Sequence, residues 1–189
     1  MLKQEMLKRV QHDSISFIIS IISNLILYNL FTGDILNEIL DKINDICQAF
    51  DYPSAADEEL EAEYVRLFIN DFDEEIVSLF AASYIKDIPV NQVILHLKQL
   101  YESASLNIIP ELGLREDHIV ICLDFLYFLI EANVEKKLIG NFAYNFIFPF
   151  LEVPILIKDK TDNKFYIQAA DKLDCFLVFL ENWLMEREH

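Results

Sequence analysis

The stretch DHIVICLDFLYFLIE, residues 117 to 131, decides the fold. It is apolar on nearly every side, interrupted inside only by Asp124, and it has the length of a helix rather than of a strand. A helix of that character must be covered by other elements, so it predicts a central helix that organises the second half of a core. Outward from it, the same period recurs. Upstream, Leu36, Ile39, Ile43, Ile46, Cys47 and Phe50 share one helical stripe, and Val90, Val93, Ile94, Leu97, Leu100 and Tyr101 share another that begins at Pro89 and runs out near Ser105. Downstream, a helix is expected near Val134 to Phe148, a looser segment from Glu152 to Asn163 around Pro154, and a last helix carrying Phe165, Ala169, Leu173, Phe176, Leu177, Leu180 and Leu184.

The remaining stretches are connections or open readings. Ser54 is a candidate N-cap for a helix with Asp57, Glu58 and Glu59 in its first turn and Leu60, Tyr64, Leu67 and Phe68 on one face. Val77 to Tyr84 reads equally as a short helix or an ordered loop. A linker from Asn107 to Glu116 contains Pro110 and Gly113. The fold class is therefore all-α: one helical domain over 1–189, with an N-terminal portion spanning 1–105, a hinge near 106–117 and a C-terminal portion spanning 118–189. Only 3 Gly and 5 Pro in 189 residues agree with long elements and short connections.

The segment from Ser14 to Gly33 carries no charge and is long enough to span a bilayer. Its polar residues Ser16, Ser20, Ser23 and Asn24 gather on one side. Ile15, Ile18, Ile19, Ile22, Leu25, Ile26 and Leu30 occupy the other, the pattern of a soluble amphipathic helix, so no transmembrane segment is expected.

A formal charge of −17 argues against nucleic acid as the partner, because phosphate binding needs a basic face, and points toward a basic partner. Cys47, Cys122 and Cys175 stand far apart with no Cys-x-x-Cys pair, which fits small buried thiols in a reducing, cytoplasmic setting. No Gly-rich phosphate loop, nucleophile elbow or paired histidine motif occurs, so no cofactor, metal or catalytic role is expected. The acidic run at Asp71 fails as a calcium loop, since Ile76 and Ala82 stand where Gly and Glu are required. Adjacent Asp117 and His118 do not face each other on a helix and read as a helix start near the positive end of its dipole. Asp124 reads as a hydrogen-bonded structural acid.

Taken in order, Tyr64-Val-Arg-Leu67-Phe68, Leu79-Phe-Ala-Ala-Ser83-Tyr84, Tyr101-Glu102, Asp117-His118 and Leu123-Asp124-Phe125-Leu126 resemble the TorD/DmsD/NarJ family of redox-enzyme maturation chaperones. The resemblance continues through Phe148-Pro149-Phe150 and Phe165-Tyr166. Leu114 and Arg115 stand where the family often has Glu-Pro. The resemblance implies a TorD-like helical bundle and a cytoplasmic role in maturing molybdenum-cofactor oxidoreductases. The implied partner is the precursor's twin-arginine signal peptide, its apoenzyme, or both. It also implies client-binding positions at Tyr64, Leu67, Phe68, Ser83, Tyr84, Asp117, His118 and Asp124.

The residues themselves allow that reading. A twin-arginine signal joins guanidinium groups to an apolar stretch, and here the acids Asp57, Glu58, Glu59, Glu61, Glu63, Asp71, Asp73, Glu74 and Glu75 flank Tyr64, Leu67 and Phe68. Three alternatives stay open: those three residues are ordinary core, the chain is a helical assembly factor without signal-peptide specificity, or it is a small enzyme of unrecognised type, the last disfavoured by the missing nucleophile and metal constellations.

Overall fold

The computed structural model describes residues 33–51, 58–70, 76–106 and 114–185, and these are helical with no β-strand among them. Seven α-helices are named in chain order: α1 Gly33–Phe50, α2 Glu58–Tyr64, α3 Val90–Ser103, α4 Ile119–Glu131, α5 Lys136–Phe142, α6 Val153–Lys160 and α7 Lys164–Met185. The expectations for the Ser14–Gly33 segment, the Ser54 cap, the acids from Asp71 to Glu75 and the linker residues 107–113 lie outside the described residues.

The central helix is where its composition demands. Ile119, Val120, Ile121, Cys122, Leu123, Phe125, Leu126 and Ile130 of α4 are buried. Each fully buried aliphatic or aromatic side chain contributes about 1.5–3 kcal/mol relative to exposure. One side of α4 is covered by α1, whose stripe of Ile39, Ile43, Ile46, Cys47 and Phe50 is buried as the period predicts. The two run antiparallel. Cys47 Sγ lies 3.6 Å from Asp124 Oδ1, while Asn44 and Asp41, one turn and two turns back, act on the Tyr127 hydroxyl. Helix α7 completes this layer by burying Tyr166, Ala169, Ala170, Leu173, Phe176, Leu177 and Leu180.

Helices α3 and α4 end alike. Ser105 and Asn133 adopt positive φ of 60° and 52°. The following residue's N–H then reaches back five residues, Leu106 to the Tyr101 carbonyl at 2.8 Å and Val134 to that of Leu129 at 3.0 Å. This is the Schellman arrangement, which satisfies carbonyls that the helix itself leaves open.

Three expectations need correction. The single helix expected from Val134 to Phe148 widens after α5 into a π-type turn at Ala143–Ile147 and tightens into a 3₁₀ turn at Phe148–Glu152. The looser segment expected around Pro154 is helix α6, because a proline in the first turn loses no hydrogen bond that the helix would otherwise make. Cys175 is exposed on α7, whereas Cys47 and Cys122 are buried. The open reading of Val77 to Tyr84 resolves as an extended lead-in followed by a 3₁₀ turn, Ala81–Ser83.

By length and composition the stretch Lys136–Lys160 is apolar enough to cross a membrane. Within the fold, however, Ile139, Phe142, Ala143, Phe146, Ile147, Phe150, Val153 and Ile157 from this stretch are buried members of the core.

Candidate functional site

The Asp117–His118 pair forms a corner between the Phe80–Ser83 turn and the start of α4. Phe80 and His118 pair as an isolated antiparallel bridge. The Ala81 N–H donates to the Asp117 carbonyl at 2.8 Å and the Ile119 N–H to the Leu79 carbonyl at 2.8 Å. His118 is the N-cap of α4, its Nδ1 accepting from the Val120 N–H at 3.3 Å. Nδ1 is therefore unprotonated, and burial lowers the His118 pKa from its ordinary value to about 4, against the raising influence of Asp117. Asp117 does not cap α4. Its fully buried carboxylate accepts the Arg115 Nε and Nη2 donors at 2.5 and 2.8 Å, and Oδ2 also accepts from the Ala82 N–H at 3.1 Å.

Arg115, at a position where the resemblance gave Glu-Pro, closes this corner. Its guanidinium sits 4.2 Å from the centre of the Phe80 ring while forking onto Asp117, and that hydrogen bond is the main cause of its raised pKa. Behind it the Tyr101 hydroxyl donates to the Glu116 carbonyl at 2.9 Å. Cys122 Sγ is 4.0 Å from the same hydroxyl, and burial raises the pKa of both groups. The cluster thus holds one neutral imidazole, one paired carboxylate and one thiol kept in its unreactive form. It is arranged to fix the last residues of the linker, Arg115 to His118, against the Phe80 turn.

Next to this corner, Ser83 is exposed and shares a hydrogen bond of 2.6 Å with Ser78. Tyr84 is half-buried, donating from its hydroxyl to the Ser78 carbonyl at 2.8 Å. Asp124 lies elsewhere, under α1, with Cys47 beside it. The eight sequence-derived positions therefore do not form one surface.

Tyr64, Leu67 and Phe68 are 6%, 1% and 6% exposed, which places their side chains in the core. The Phe68 ring stands edge-on to those of Tyr64 at 5.0 Å, Tyr166 at 5.7 Å and Phe50 at 6.1 Å, so it locks α1, α2 and α7 together. Polar contacts reinforce the seam. The Tyr166 hydroxyl donates to the Leu60 carbonyl at 2.9 Å. Arg66 forks onto Glu63 at 2.9 and 2.8 Å and also donates to the Lys160 carbonyl at 2.7 Å, capping the end of α6. The Arg66 hydrogen bond holds the Glu63 carboxyl below the usual carboxylate range, with Thr161 donating to the same carboxylate. On the outer side of α2, Glu58 and Glu59 remain exposed.

One feature was not legible from any motif. A groove of about 750 Å³ runs between α3, α4 and α5, floored by Leu100, Phe125, Phe128, Leu129, Phe142 and Phe146. Its rim carries His96, Ser103, Ser105, Asn141 and Asn145, and among the described residues that line it there is no Asp, Glu, Lys or Arg. In a chain of net charge −17 that is a distinct surface. Its volume lies in the range of ligand sites.

The family profile described as nitrate reductase delta subunit matches residues 33–152, more than half of the chain, and takes in the α1, Tyr64 and Asp117–His118 segments together with the groove. No curated protein and no solved structure matches the chain.

Proposed function

Since this chain belongs to the nitrate reductase delta subunit family, a family of chaperones for molybdoenzyme maturation, we propose that it acts in the cytoplasm on the precursor of a molybdenum-cofactor oxidoreductase. It takes the precursor's twin-arginine signal peptide, its apoenzyme, or both, before export or assembly. The observation that carries this reading is the family match over 33–152. On this reading Lys136–Lys160 is a wall of the core and not a membrane anchor.

The client-binding positions divide by accessibility. Ser83 and Tyr84, with the exposed acids Glu58 and Glu59, are the surface groups available to a basic peptide. Asp117, His118, Tyr64, Leu67 and Phe68 act as positioning residues: they hold the Phe80 turn, the end of the linker and the α2 seam in place. Asp124, half-buried beside Cys47, orders the α1–α4 contact. The net charge of −17 suits a cationic client, which it attracts from a distance.

Isothermal titration with a peptide of two adjacent arginines followed by an apolar run, beside its twin-lysine counterpart, tests this. A guanidinium forks onto a carboxylate where an ammonium is a point charge, so the arginine peptide is expected to bind about tenfold more tightly, equivalent to about 1.4 kcal/mol. Equal affinities contradict arginine recognition. Absence of binding by both removes the signal peptide as a ligand and leaves the apoenzyme body.

A further inference from the structure

We propose that the outer side of the Lys136–Lys160 stretch is a self-association surface, on which a second copy of this chain seats antiparallel about a two-fold axis. Spacing, exposure and the charges at the two ends of the stretch converge on this partner.

The inner side of the stretch, with Phe142, Phe146, Phe150, Val153 and Ile157, is core. On the outer side Tyr144, Leu151 and Ile155 are 56%, 48% and 68% exposed, and Phe148 is half-buried. The Tyr144 and Phe148 rings meet edge-on at 5.1 Å. Phe148 and Leu151 stand three residues apart in a 3₁₀ turn, where that spacing puts side chains in line. Leu151 and Ile155 are one turn apart at the entry to α6. The four therefore form one continuous ridge with steps of four, three and four, the spacing of a seam along which helices pair. No charged residue occurs from Leu138 to Leu151.

Charge decides the occupant. Lys137, before the ridge, and Asp159 and Asp162, after it, are exposed, and none of the three makes an ion pair among the described residues. A two-fold axis between Phe148 and Leu151 sets Tyr144 of one copy against Ile155 of the other and brings Lys137 toward Asp159 and Asp162 at both ends. An anionic lipid surface would attract Lys137 but repel the two aspartates, and a cationic peptide would do the reverse. A copy running the other way satisfies both ends.

The dimensions set the strength of the pair. From Lys137 to Asp159 the surface measures about 33 Å, and a helix face about 10 Å wide gives roughly 330 Å² per copy, under half of the roughly 800 Å² of a standard interface. Net charge of −17 on each copy opposes approach as well, although physiological salt screens it beyond about 8 Å. The pair is therefore reversible, with a Kd in the micromolar range. Asn141 stands one turn from both Lys137 and Tyr144 and also lies on the groove rim, so the second copy borders the α3–α4–α5 groove.

Sedimentation velocity on the full chain from about 5 to 200 μM, with a reductant to keep the exposed Cys175 unlinked, is expected to show a monomer–dimer equilibrium. Leu151→Glu with Ile155→Glu is expected to weaken it by about tenfold or more, with circular dichroism unchanged because both side chains already face water. A chain monomeric throughout, or a dimer untouched by this pair of substitutions, overturns the proposal. Charge exchange tests the register without disturbing the apolar contact. Lys137→Glu in one protein, and Asp159→Lys with Asp162→Lys in another, are each expected to weaken self-association by about fivefold. An equal mixture of the two is expected to associate as the unaltered chain does, because each copy then meets its complement at both ends. A mixture that associates no better than either variant alone overturns the antiparallel pairing. Flotation with phosphatidylglycerol vesicles that carries the unaltered chain, but not the Leu151→Glu, Ile155→Glu variant, makes a lipid surface the occupant and overturns the proposal too.

Discussion

Replacing Asp117 with alanine removes one buried carboxylate that holds three donors, and the structure sets the size of the effect. The Ala82 N–H, 3.1 Å from Oδ2, loses its acceptor in a buried position, which costs about 1–3 kcal/mol. The Arg115 fork is lost as well. Its side chain is 39% exposed, however, so the freed guanidinium recovers water and keeps its place over Phe80, and the lost fork is worth about 1 kcal/mol. Asp117→Ala is therefore expected to lower stability by about 2–4 kcal/mol, more than the loss of a simple helix cap. Arg115→Ala leaves the carboxylate buried without its counter-ion and is expected to cost about 3 kcal/mol. The double variant should cost less than the sum, with a coupling of about 1–3 kcal/mol. Urea unfolding followed by circular dichroism on the four proteins measures this. A loss below about 0.5 kcal/mol for Asp117→Ala, or strict additivity of the two substitutions, refutes the corner as described.

Three further outcomes are expected. His118 is neutral when folded with a pKa of about 4, whereas an unfolded histidine takes a proton near 6.5, so its contribution is complete above pH 6.5 and lost as pH falls toward 4. His118→Asn retains a capping acceptor and should flatten this slope by up to about 1.4 kcal/mol per pH unit, measured by denaturation between pH 7 and 4.5. Leu67→Ala, at a side chain 1% exposed, should cost about 2–5 kcal/mol, with any loss of client affinity following the lost stability of the α2 seam; a large loss of affinity with stability unchanged contradicts a role for Leu67 through packing alone. Stopped-flow association with a twin-arginine peptide should slow as salt rises while dissociation holds nearly constant, and an association rate indifferent to salt limits the net charge of −17 to solubility.

Periodicity made the helices legible. The α1, α3 and α7 stripes and the all-round apolar α4 follow from spacings of three and four, and most residues the period selects are buried, but Val90 and Phe165 are exposed while Tyr166 and Ala170, outside the expected stripe, are buried. Where the reading went astray, local signals met a longer-range cause. Pro154 suggested a break because proline removes a donor, but in a first turn that donor has no partner to lose. Val77 to Tyr84 stayed open because its conformation is fixed by a bridge to His118, thirty-eight residues beyond Phe80.

The site was less legible than the fold. Spacing alone cannot tell a residue lining a groove from one filling a core, and the burial of Tyr64, Leu67 and Phe68 separates the two. Arg115 looked like a departure from a motif until its fork onto Asp117 and its place over Phe80 gave it a role. The α3–α4–α5 groove could not be read at all, since its floor combines residues from three helices whose mutual packing no single segment encodes.

The central claim is that this chain serves the maturation of a molybdenum-cofactor oxidoreductase. Its most direct test is recovery of the chain from its native cells under gentle conditions, with the bound proteins identified by mass spectrometry. The account predicts an immature molybdoenzyme still carrying its twin-arginine signal, released when that peptide is added in excess. Recovery of partners that include no such precursor contradicts it.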